Sequence, residues 1–471
     1  MMRIFLWILF ASLLPSWDGL AEEDWQPAVG VDVREVARWP TDQVVLHDGR
    51  RLEGLIRQAD SRRVELVEVG RKPGRPMYLL VRWIDREEIA QIQRLDTVER
   101  HELQRRIFAF RKRTKIAAAL RQQIHLTVRS QDDVEHLHYE GPWFTLDSTA
   151  DEPLTREVVV RVEQMMAGFR TFIRPQHEPP SPPRIVLLNT QQEYLAFQQR
   201  AALRIEHAAY FDVQKNEIIA GGELAALSQR LEEIRQHHRQ LREKLEQRDE
   251  QLQTILTRLT HQLREAGHDE DVIRDLRKAA RSEWKRKLRE PKEAAIRLAE
   301  RENEAIVQEK FRVLYHEAFH AYLENYVFDR TRYKVPAWLN EGLAQVFESG
   351  LLDAGLLRLD APDPTRLASL QRELRGPQVL PLVELITAPA EEFLVQHGEQ
   401  ARRSNRLYLY SWGLAFYLIF EGRTLDSEAL DRYLKIDSQI HDPVRRFEAM
   451  VDMPLDKFEA QWRQAMLQYR S

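Results

Sequence analysis

Alternation of apolar and polar residues predicts a small β unit in the N-terminal part of the chain. Residues Val64–Val69 alternate with period two, and a loop rich in Gly and Pro, residues 70–76, follows them. With Val44–Leu46, Leu52–Ile56 and Met77–Trp83 they suggest four or five short strands, a spacing typical of a compact SH3-like barrel over residues 31–96. Such a unit could bind peptides or cell wall, or could be a structural appendage, because fold alone does not decide function.

The pattern of apolar and polar residues changes after the β unit and again near residue 134. Residues 97–123 are charged and helix-prone, which predicts a helical connector over residues 97–130. Residues 134–222 read as α+β, with a helix near residues 156–173, a buried strand at Arg184–Leu188 and a hairpin at Ala208–Ala220 that turns at Lys215-Asn216. The hairpin could offer an edge strand to an extended peptide, or could be an ordinary part of a sheet.

Residues 223–306 have the spacing of a helical arm. Apolar positions recur at intervals of three and four, as in a coiled-coil seam, with interruptions at His238 and Arg248. The seam comprises Leu224, Leu227, Leu231, Ile234, His238, Leu241, Leu245, Arg248, Leu252, Ile255, Leu259 and Leu263. A break at residues 266–269 and a second charged helix that stops before Pro291 predict an antiparallel hairpin inserted into a globular domain. It could bind a protein partner or serve as a solvated spacer.

The first 21 residues have the features of a secretory signal. Arg3 precedes the apolar run Ile4–Leu14, and small residues up to Ala21 lead into an acidic stretch. We therefore expect export to the periplasm or the extracellular space, although an uncleaved anchor is the alternative. There is no other long apolar run, so no stable membrane span is expected after signal removal.

Composition narrows the possible partners and metal ligands. The 471 residues are 43% hydrophobic and 31% charged, which suits a globular protein of several structural units. The 70 basic and 74 acidic residues give a net charge of −4, so nucleic acid is not an expected partner. The chain has no cysteine, and any metal site must therefore use His, Asp or Glu.

The segment Val313–Leu323 contains His316-Glu317-x-x-His320 and neither Gly nor Pro, which predicts a helix. On a helix, residues i and i+4 share a face about 6 Å apart along the axis, so both imidazoles can reach one metal ion. Glu317 then projects beside that ion, where a general base for bound water must lie. The alternative is a pair of buried, hydrogen-bonded histidines on a core helix.

A second predicted helix supplies a third candidate ligand. It follows Pro336, and Glu341 interrupts its apolar face beside the small residues Gly342 and Ala344, which permit close helix approach. A buried carboxylate needs a counter-charge, which a zinc ion supplies. Two His and one Glu leave a fourth position open for water, the pattern of catalytic zinc.

These motifs resemble those of gluzincin zinc metallopeptidases. The Asn-Glu-Gly-x-Ala segment at residues 340–344 is similar to the aminopeptidase N family. The pairing of Pro-x-Trp-Leu-x-Glu-Gly-Leu-Ala at residues 336–344 with Trp-Phe-x-Leu-Asp-Ser at residues 143–148 resembles the bacterial "peptidase MA-like" families of exported proteins. The resemblance covers roughly residues 134–222 and 307–465, and leaves out the helical arm and the N-terminal β unit.

The resemblance implies an α+β, thermolysin-type catalytic domain whose zinc-binding helical half is residues 307–471. His316, His320 and Glu341 match the ligands of one catalytic Zn²⁺ ion, and Glu317 matches the general base. The expected function is an exported zinc metallopeptidase that hydrolyses peptide or protein substrates. The alternative is a catalytically inactive scaffold or binding protein of the cell envelope.

Two further features bear on specificity and rate. Residues 408–415 resemble a helix on which these peptidases carry a tyrosine that stabilises the oxyanion, so Tyr408 is the candidate and Tyr410 the second choice. Both tyrosines could instead pack in the core. The chain has no Gly-x-Met-Glu-Asn segment, with which the related aminopeptidases hold a free α-amine, and this favours an endopeptidase.

Overall fold

A computed structural model describes residues 39–131, 134–200, 209–221, 223–330, 332, 334–353, 355–393, 398–421, 429–430, 433 and 442–469. The architecture is α+β, as predicted. The strands are β1 (Asp42–Leu46), β2 (Arg51–Ala59), β3 (Arg63–Gly70), β4 (Tyr78–Asp85), β5 (Ile89–Gln93), β6 (Thr127–Gln131), β7 (Val134–Glu140), β8 (Thr145–Ser148), β9 (Arg184–Leu187), β10 (Ala209–Asp212), β11 (Glu217–Ala220), β12 (Leu351–Asp353) and β13 (Leu356–Arg358).

The helices are α1 (Thr97–Gln123), α2 (Glu152–Phe172), α3 (Gln191–Arg200), α4 (Glu223–Glu265), α5 (Glu270–Trp284), α6 (Glu290–Tyr322), α7 (Ala337–Glu348), α8 (Pro364–Arg375), α9 (Leu382–Thr387), α10 (Gly398–Phe416), α11 (Pro443–Val451) and α12 (Leu455–Gln468). None of the helices in the described part of the chain combines the length and apolar character that a bilayer span requires. The predicted signal at residues 1–21 lies outside the described residues.

The N-terminal β unit has five antiparallel strands in the order β4-β3-β2-β1-β5. The prediction of a barrel was wrong in one respect: within the described residues β4 and β5 are edge strands, and the sheet does not close. Helix α1 covers part of the sheet instead, since its residues Leu103, Ile107 and Phe110 pack against Leu55 and Val67. The helix predicted as a connector thus completes a core of the β unit.

The connector helix ends at Gln123, where the charged, helix-prone stretch of the sequence ends. Residues 127–131 form β6, the edge strand of a second sheet, whereas the sequence placed them in the helical connector. This short strand is largely polar, and Val128 is 64% exposed. Its pairing with β7 therefore leaves little trace in the hydrophobic pattern.

The second sheet has the order β10-β11-β9-β8-β7-β6. Strand β9 runs parallel to β8 and β11, and β10 is an antiparallel edge strand. The β10–β11 hairpin turns where predicted, with Asn216 at a φ of 59°. Helices α2 and α6 bury their apolar faces in the main core, where the rings of Phe169, Phe319 and Phe347 lie within 5.4 Å of one another, centroid to centroid. This packing fixes α6 relative to the sheet.

Helices α4 and α5 form an antiparallel arm. Gly267 takes a φ of 77° in the turn between them, which a residue with a side chain rarely adopts. Further along the arm, the Trp284 indole donates a hydrogen bond to Asp249 over 2.6 Å. His238 is buried, but Ile255 and Leu259 are 60% and 41% exposed, contrary to the predicted seam.

The neighbouring residues Leu256 and Thr260 are buried in their place. A straight helix has 3.6 residues per turn, whereas the predicted seam repeats every 3.5 residues. The difference is about 20° per heptad, so a strict seam moves off the contact face within a few heptads.

The sequence predicted that the second helix of the arm ends before Pro291, but the helical backbone continues through this residue. A π-helical turn at Lys285–Arg289 leads directly into α6, and Pro291 lies in the first turn of that helix. Proline is tolerated there because the first N–H groups of a helix have no intrahelical acceptor. The predicted boundary at residues 306 and 307 therefore falls inside α6, which joins the arm to the core.

Candidate metal centre

Helix α6 places His316 and His320 on one face and packs into the core through another face. Tyr315, Phe319 and Tyr322 are at most 1% exposed and belong to the main core. The two imidazole rings lie at right angles, with 4.5 Å between their centroids. Their positions are therefore set by a packed, Gly-free helix rather than by a loop.

Helix α7 brings the third side chain. It begins after Pro336 and carries Glu341 beside Gly342. A Cβ atom built on Gly342 would lie 2.3 Å from the Ser411 carbonyl oxygen of α10, so the two helices touch at this glycine. The small residue thus allows the close helix approach that the sequence suggested.

The three predicted ligands come together. One ligand atom from each of His316, His320 and Glu341 lies within 4.8 Å of the other two. Glu341 Oε2 is 3.4 Å from His316 Nε2, and Oε1 is 3.7 Å from His320 Nε2. Glu341 Oε2 is also buried without a hydrogen-bond partner. A carboxylate that faces two imidazole nitrogens and keeps one oxygen without a partner fits a divalent cation, whose charge would offset the cost of burial.

The other ring nitrogens are occupied by groups that the sequence did not single out as partners. His316 Nδ1 lies 2.7 Å from Glu348 Oε2, and His320 Nδ1 lies 2.7 Å from Asn340 Oδ1. With a carboxylate and an amide oxygen as acceptors, both Nδ1 atoms carry the proton and both Nε2 atoms turn toward Glu341. This arrangement orients neutral imidazoles for metal binding.

Glu348 is itself held in place by arginines. Arg366 approaches its Oε1 at 2.6 Å and Arg312 at 3.4 Å. Burial alone would raise the pKa of Glu348, but His316 and the two arginines together lower it to about 2. The residue is therefore a carboxylate at any physiological pH.

The acids and imidazoles of the centre shift one another's pKa values. Burial disfavours the charged form of His316, yet Glu341 and Glu348 raise its pKa well above the ordinary value. Burial likewise works against ionised Glu341, but His320 and His316 lower its pKa. The negative charges that attract a proton to His316 are those that a divalent cation would neutralise.

Glu317 lies beside the three ligand residues and is fixed by a contact with the sheet. Its Oε2 accepts a hydrogen bond of 2.8 Å from the Phe211 N–H of strand β10. Burial raises the pKa of Glu317 above the ordinary range, although His320 and His316 oppose this. A raised pKa makes this carboxylate a stronger base than an exposed glutamate.

Tyr408 of α10 lies within electrostatic reach of this centre. Burial raises the pKa of its phenol, and the charges of Glu341 and Glu317 raise it further. The ring is half-buried and meets Phe393 edge-on, with 5.5 Å between the centroids. The hydroxyl therefore keeps its proton and can act as a hydrogen-bond donor.

Tyr410, the second choice, has a packing role. It is fully buried, and its ring lies 5.8 Å from that of Trp462. Its hydroxyl accepts a hydrogen bond of 3.3 Å from the Leu380 N–H. This tyrosine belongs to the core and not to the metal centre.

A family match covers the metal centre. The sequence model of a family described as "Protein of unknown function (DUF1570)" matches residues 311–443. This is less than a third of the chain, but it includes the three ligand residues, Glu317, Glu348 and Tyr408. The comparison with curated proteins gave no match.

Sequence reasoning missed three contacts of the centre. Glu348 follows Glu341 by seven residues, two helical turns, so its place on the same helix face was a signal that could have been used. Asn340 precedes Glu341 and was noted only as part of a motif. The role of the Phe211 N–H leaves no signal, because it depends on how β10 packs against α6.

Proposed function

We propose that this chain is a zinc-dependent metallopeptidase of the gluzincin type that acts as an endopeptidase. The convergence of His316, His320 and Glu341, with Glu317 on the same helix as the two histidines, carries the proposal. Two His and one Glu would hold one Zn²⁺ ion and leave a position open for water. The ligands are all nitrogen and oxygen atoms, as a chain without cysteine requires.

Bound zinc supplies Lewis acidity and a water whose pKa is lowered to about 7. The protein's own part is to position and move protons. Glu317, held by the Phe211 N–H, takes the proton from the attacking water and passes it to the leaving amine. Its raised pKa suits both steps.

Tyr408 is proposed to donate a hydrogen bond to the oxyanion that develops on the scissile carbonyl. Its phenol keeps its proton because burial and the nearby carboxylates raise its pKa. A donor already fixed before the reaction stabilises developing charge without reorganisation at that moment. Tyr408→Phe should therefore lower kcat more than it changes KM.

An extended peptide has a place to bind. Strand β10 is an edge strand of the second sheet and packs against α6. Edge strands can accept a peptide through main-chain hydrogen bonds, with specificity left to side-chain pockets.

The setting of the enzyme is part of the proposal. The predicted signal at residues 1–21 favours action in the periplasm or outside the cell. The substrate would be a peptide or protein, the helical arm could bind a protein partner, and nucleic acid is not an expected partner.

A peptide-library digest read by mass spectrometry tests the proposal. The purified chain, loaded with zinc, should cleave internal peptide bonds, and a chelator or the Glu317→Gln substitution should stop cleavage. A chain that binds one zinc ion but cleaves nothing would favour the inactive scaffold. A chain that binds no metal would contradict both the peptidase proposal and the alternative of an inactive zinc-binding scaffold.

A further inference from the structure

One buried acid near the candidate metal centre has no hydrogen-bond or ion-pair partner among the residues that the structure describes. Glu324 is 8% exposed and lies in the π-helical turn Leu323–Val327 that continues α6. Asp42, Glu65 and Glu157 are the other buried acids of the described residues. Each of those three has an arginine nitrogen within 3.2 Å. Glu324 forms neither a hydrogen bond nor an ion pair with any described residue.

This isolation is unfavourable for the protein alone. Burial raises the pKa of Glu324 to about 7, and the only opposing influence is the charge of Arg330. That arginine is more than 4 Å away and donates a hydrogen bond of 2.7 Å to the Val213 carbonyl oxygen. A buried carboxylate kept for structure is normally paired, because the unpaired charge is costly. The missing counter-charge of Glu324 points to a ligand.

The position of Glu324 relates it to the proposed substrate cleft. It follows His320 by four residues, which is one turn and about 6 Å along the helix. Long helical side chains lean toward the preceding turn, in this case toward His320. On either side of Glu324, α6 and its continuation contact the β10–β11 hairpin, through Glu317 with Phe211 and through Asn325 with Asn216 at 2.7 Å.

The Glu324 carboxylate is buried, but its oxygens are not completely shielded from solvent. Glu341 Oε2 is wholly enclosed and unpartnered, whereas neither oxygen of Glu324 is in that state. A cationic group from outside the protein can therefore reach the carboxylate. The flexible side chain of lysine, or the guanidinium of arginine, can span the single helical turn between the metal centre and Glu324.

We infer that Glu324 determines specificity by binding a cationic group of the substrate next to the scissile bond. The group is the ammonium or guanidinium of a Lys or Arg side chain, which an internal cleavage site can offer. The inference rests on the proposed peptidase function and adds the substrate class to it. The cation would provide the counter-charge that the fold lacks and would strengthen hydrogen bonds to the carboxylate.

Matched peptides test the inference. At each position flanking the cleaved bond, Lys is compared with norleucine, which has a similar length and no charge, and with Glu. Each peptide is made with a free and with an acetylated N-terminus. We expect kcat/KM to favour the cationic peptide by about 10- to 100-fold, the range for a hydrogen bond to a charged group. The preference should persist in the acetylated series, in which the side chain alone supplies the cation.

Three variants separate recognition from structure. Glu324→Gln should lose the preference for the cation, and Glu324→Lys should turn it toward the Glu peptide, with zinc stoichiometry unchanged in both. Glu309→Gln removes an exposed carboxylate from the same helix and should keep the wild-type preference. A Glu324→Gln variant that keeps the wild-type preference would overturn the inference.

A binding measurement that needs no turnover completes the design. In the Glu317→Gln background, calorimetry should show tighter binding of the Lys peptide than of the norleucine peptide, and the difference should vanish when Glu324→Gln is added. Cleavage that ignores charge overturns the inference and leaves the peptidase proposal standing. A zinc-loaded chain that neither cleaves nor binds any of these peptides overturns both.

Discussion

Glu348 Oε2 lies 2.7 Å from His316 Nδ1, and Glu348 stands two helical turns beyond Glu341 on α7. One helix therefore provides a candidate ligand together with the acceptor that orients a ligand on another helix. Arg366 of α8 and Arg312 of α6 hold that acceptor in place. The metal centre thus depends on the packing of α6 against α7 as much as on the ligand residues themselves.

Glu348→Ala should weaken zinc binding by about 10- to 100-fold, the usual effect of losing a group that orients a metal-bound histidine. Competition with a chelating dye measures the affinity. Glu348→Gln should lose less zinc affinity than Glu348→Ala, because the amide oxygen of Gln can still accept the hydrogen bond from His316. Equal zinc affinities in the wild type and in Glu348→Ala would show that the contact does not orient the ligand.

Glu317→Gln should keep the metal and lose turnover. The amide cannot take a proton from water, and a general base contributes about 10²- to 10⁴-fold to rate. Elemental analysis should still find one zinc ion per chain, while kcat falls by that factor. Retained activity in this variant would remove Glu317 from the role of base.

Glu341→Ala should lose zinc. The substitution deletes one of three ligands and leaves only the two imidazoles of α6 to bind the ion. Elemental analysis after dialysis measures the loss, and Glu309→Gln serves as the control for removing one carboxylate. Stoichiometric zinc in Glu341→Ala would exclude Glu341 from the site.

Gly342→Ala should destabilise the fold and weaken metal binding together. The new methyl group would meet the Ser411 carbonyl oxygen at 2.3 Å and force α7 away from α10. Overpacking of this kind costs about 1–3 kcal/mol of unfolding free energy. Denaturant unfolding of the metal-free and zinc-loaded forms measures both effects.

Gly376→Ala is the matched control for that substitution. Gly376 has a φ of −74°, and the nearest atom to an added Cβ is 3.2 Å away. Its unfolding free energy and zinc affinity should stay close to those of the wild type. A similar loss in both variants would mean that the helix contact at Gly342 has no special importance.

Glu324→Gln should stabilise the metal-free chain at pH 8 but not at pH 4. The folded-state pKa of about 7 lies above the ordinary 4.5, so the folded protein holds this proton longer than the unfolded chain. Stability attributable to Glu324 therefore falls as pH rises from about 4.5 to 7, by about 2–3 kcal/mol, and stays low above that range. Thermal midpoints of wild type and variant across this range measure the effect. A difference that is independent of pH would contradict the assigned burial.

The chemistry of the centre could be read from the sequence because a helix converts spacing into geometry. The i and i+4 histidines had to share a face, and an acid on an apolar helix needed a counter-charge. Glu348 and Phe211 were not found, since the first required knowing which helix faces meet. The second is a main-chain donor, which any residue type could supply.

The sequence predicts the fold well where the hydrophobic periodicity is strong. It fails where a residue such as proline is tolerated in an unexpected place or where a strand is polar. The alternating strands of the β unit and the turn near Gly267 were found. Pro291 was taken as a stop, although proline is compatible with a first helical turn. Strand β6 was missed because its polar residues have no apolar face to reveal it, and its pairing is non-local.

The continuity of α5, the π-helical turn and α6 limits how this chain can be dissected. A deletion designed to remove the arm up to residue 306 would cut α6 within three turns of His316. The new N-terminal end of the helix would fray, although the ligand-bearing turns need a rigid helix. Trimming the tip around Gly267, and rejoining α4 to α5 by a short loop, would leave α6 whole. The arm is thus an extension of the helix that bears two of the three ligands, and it cannot be treated as a detachable module.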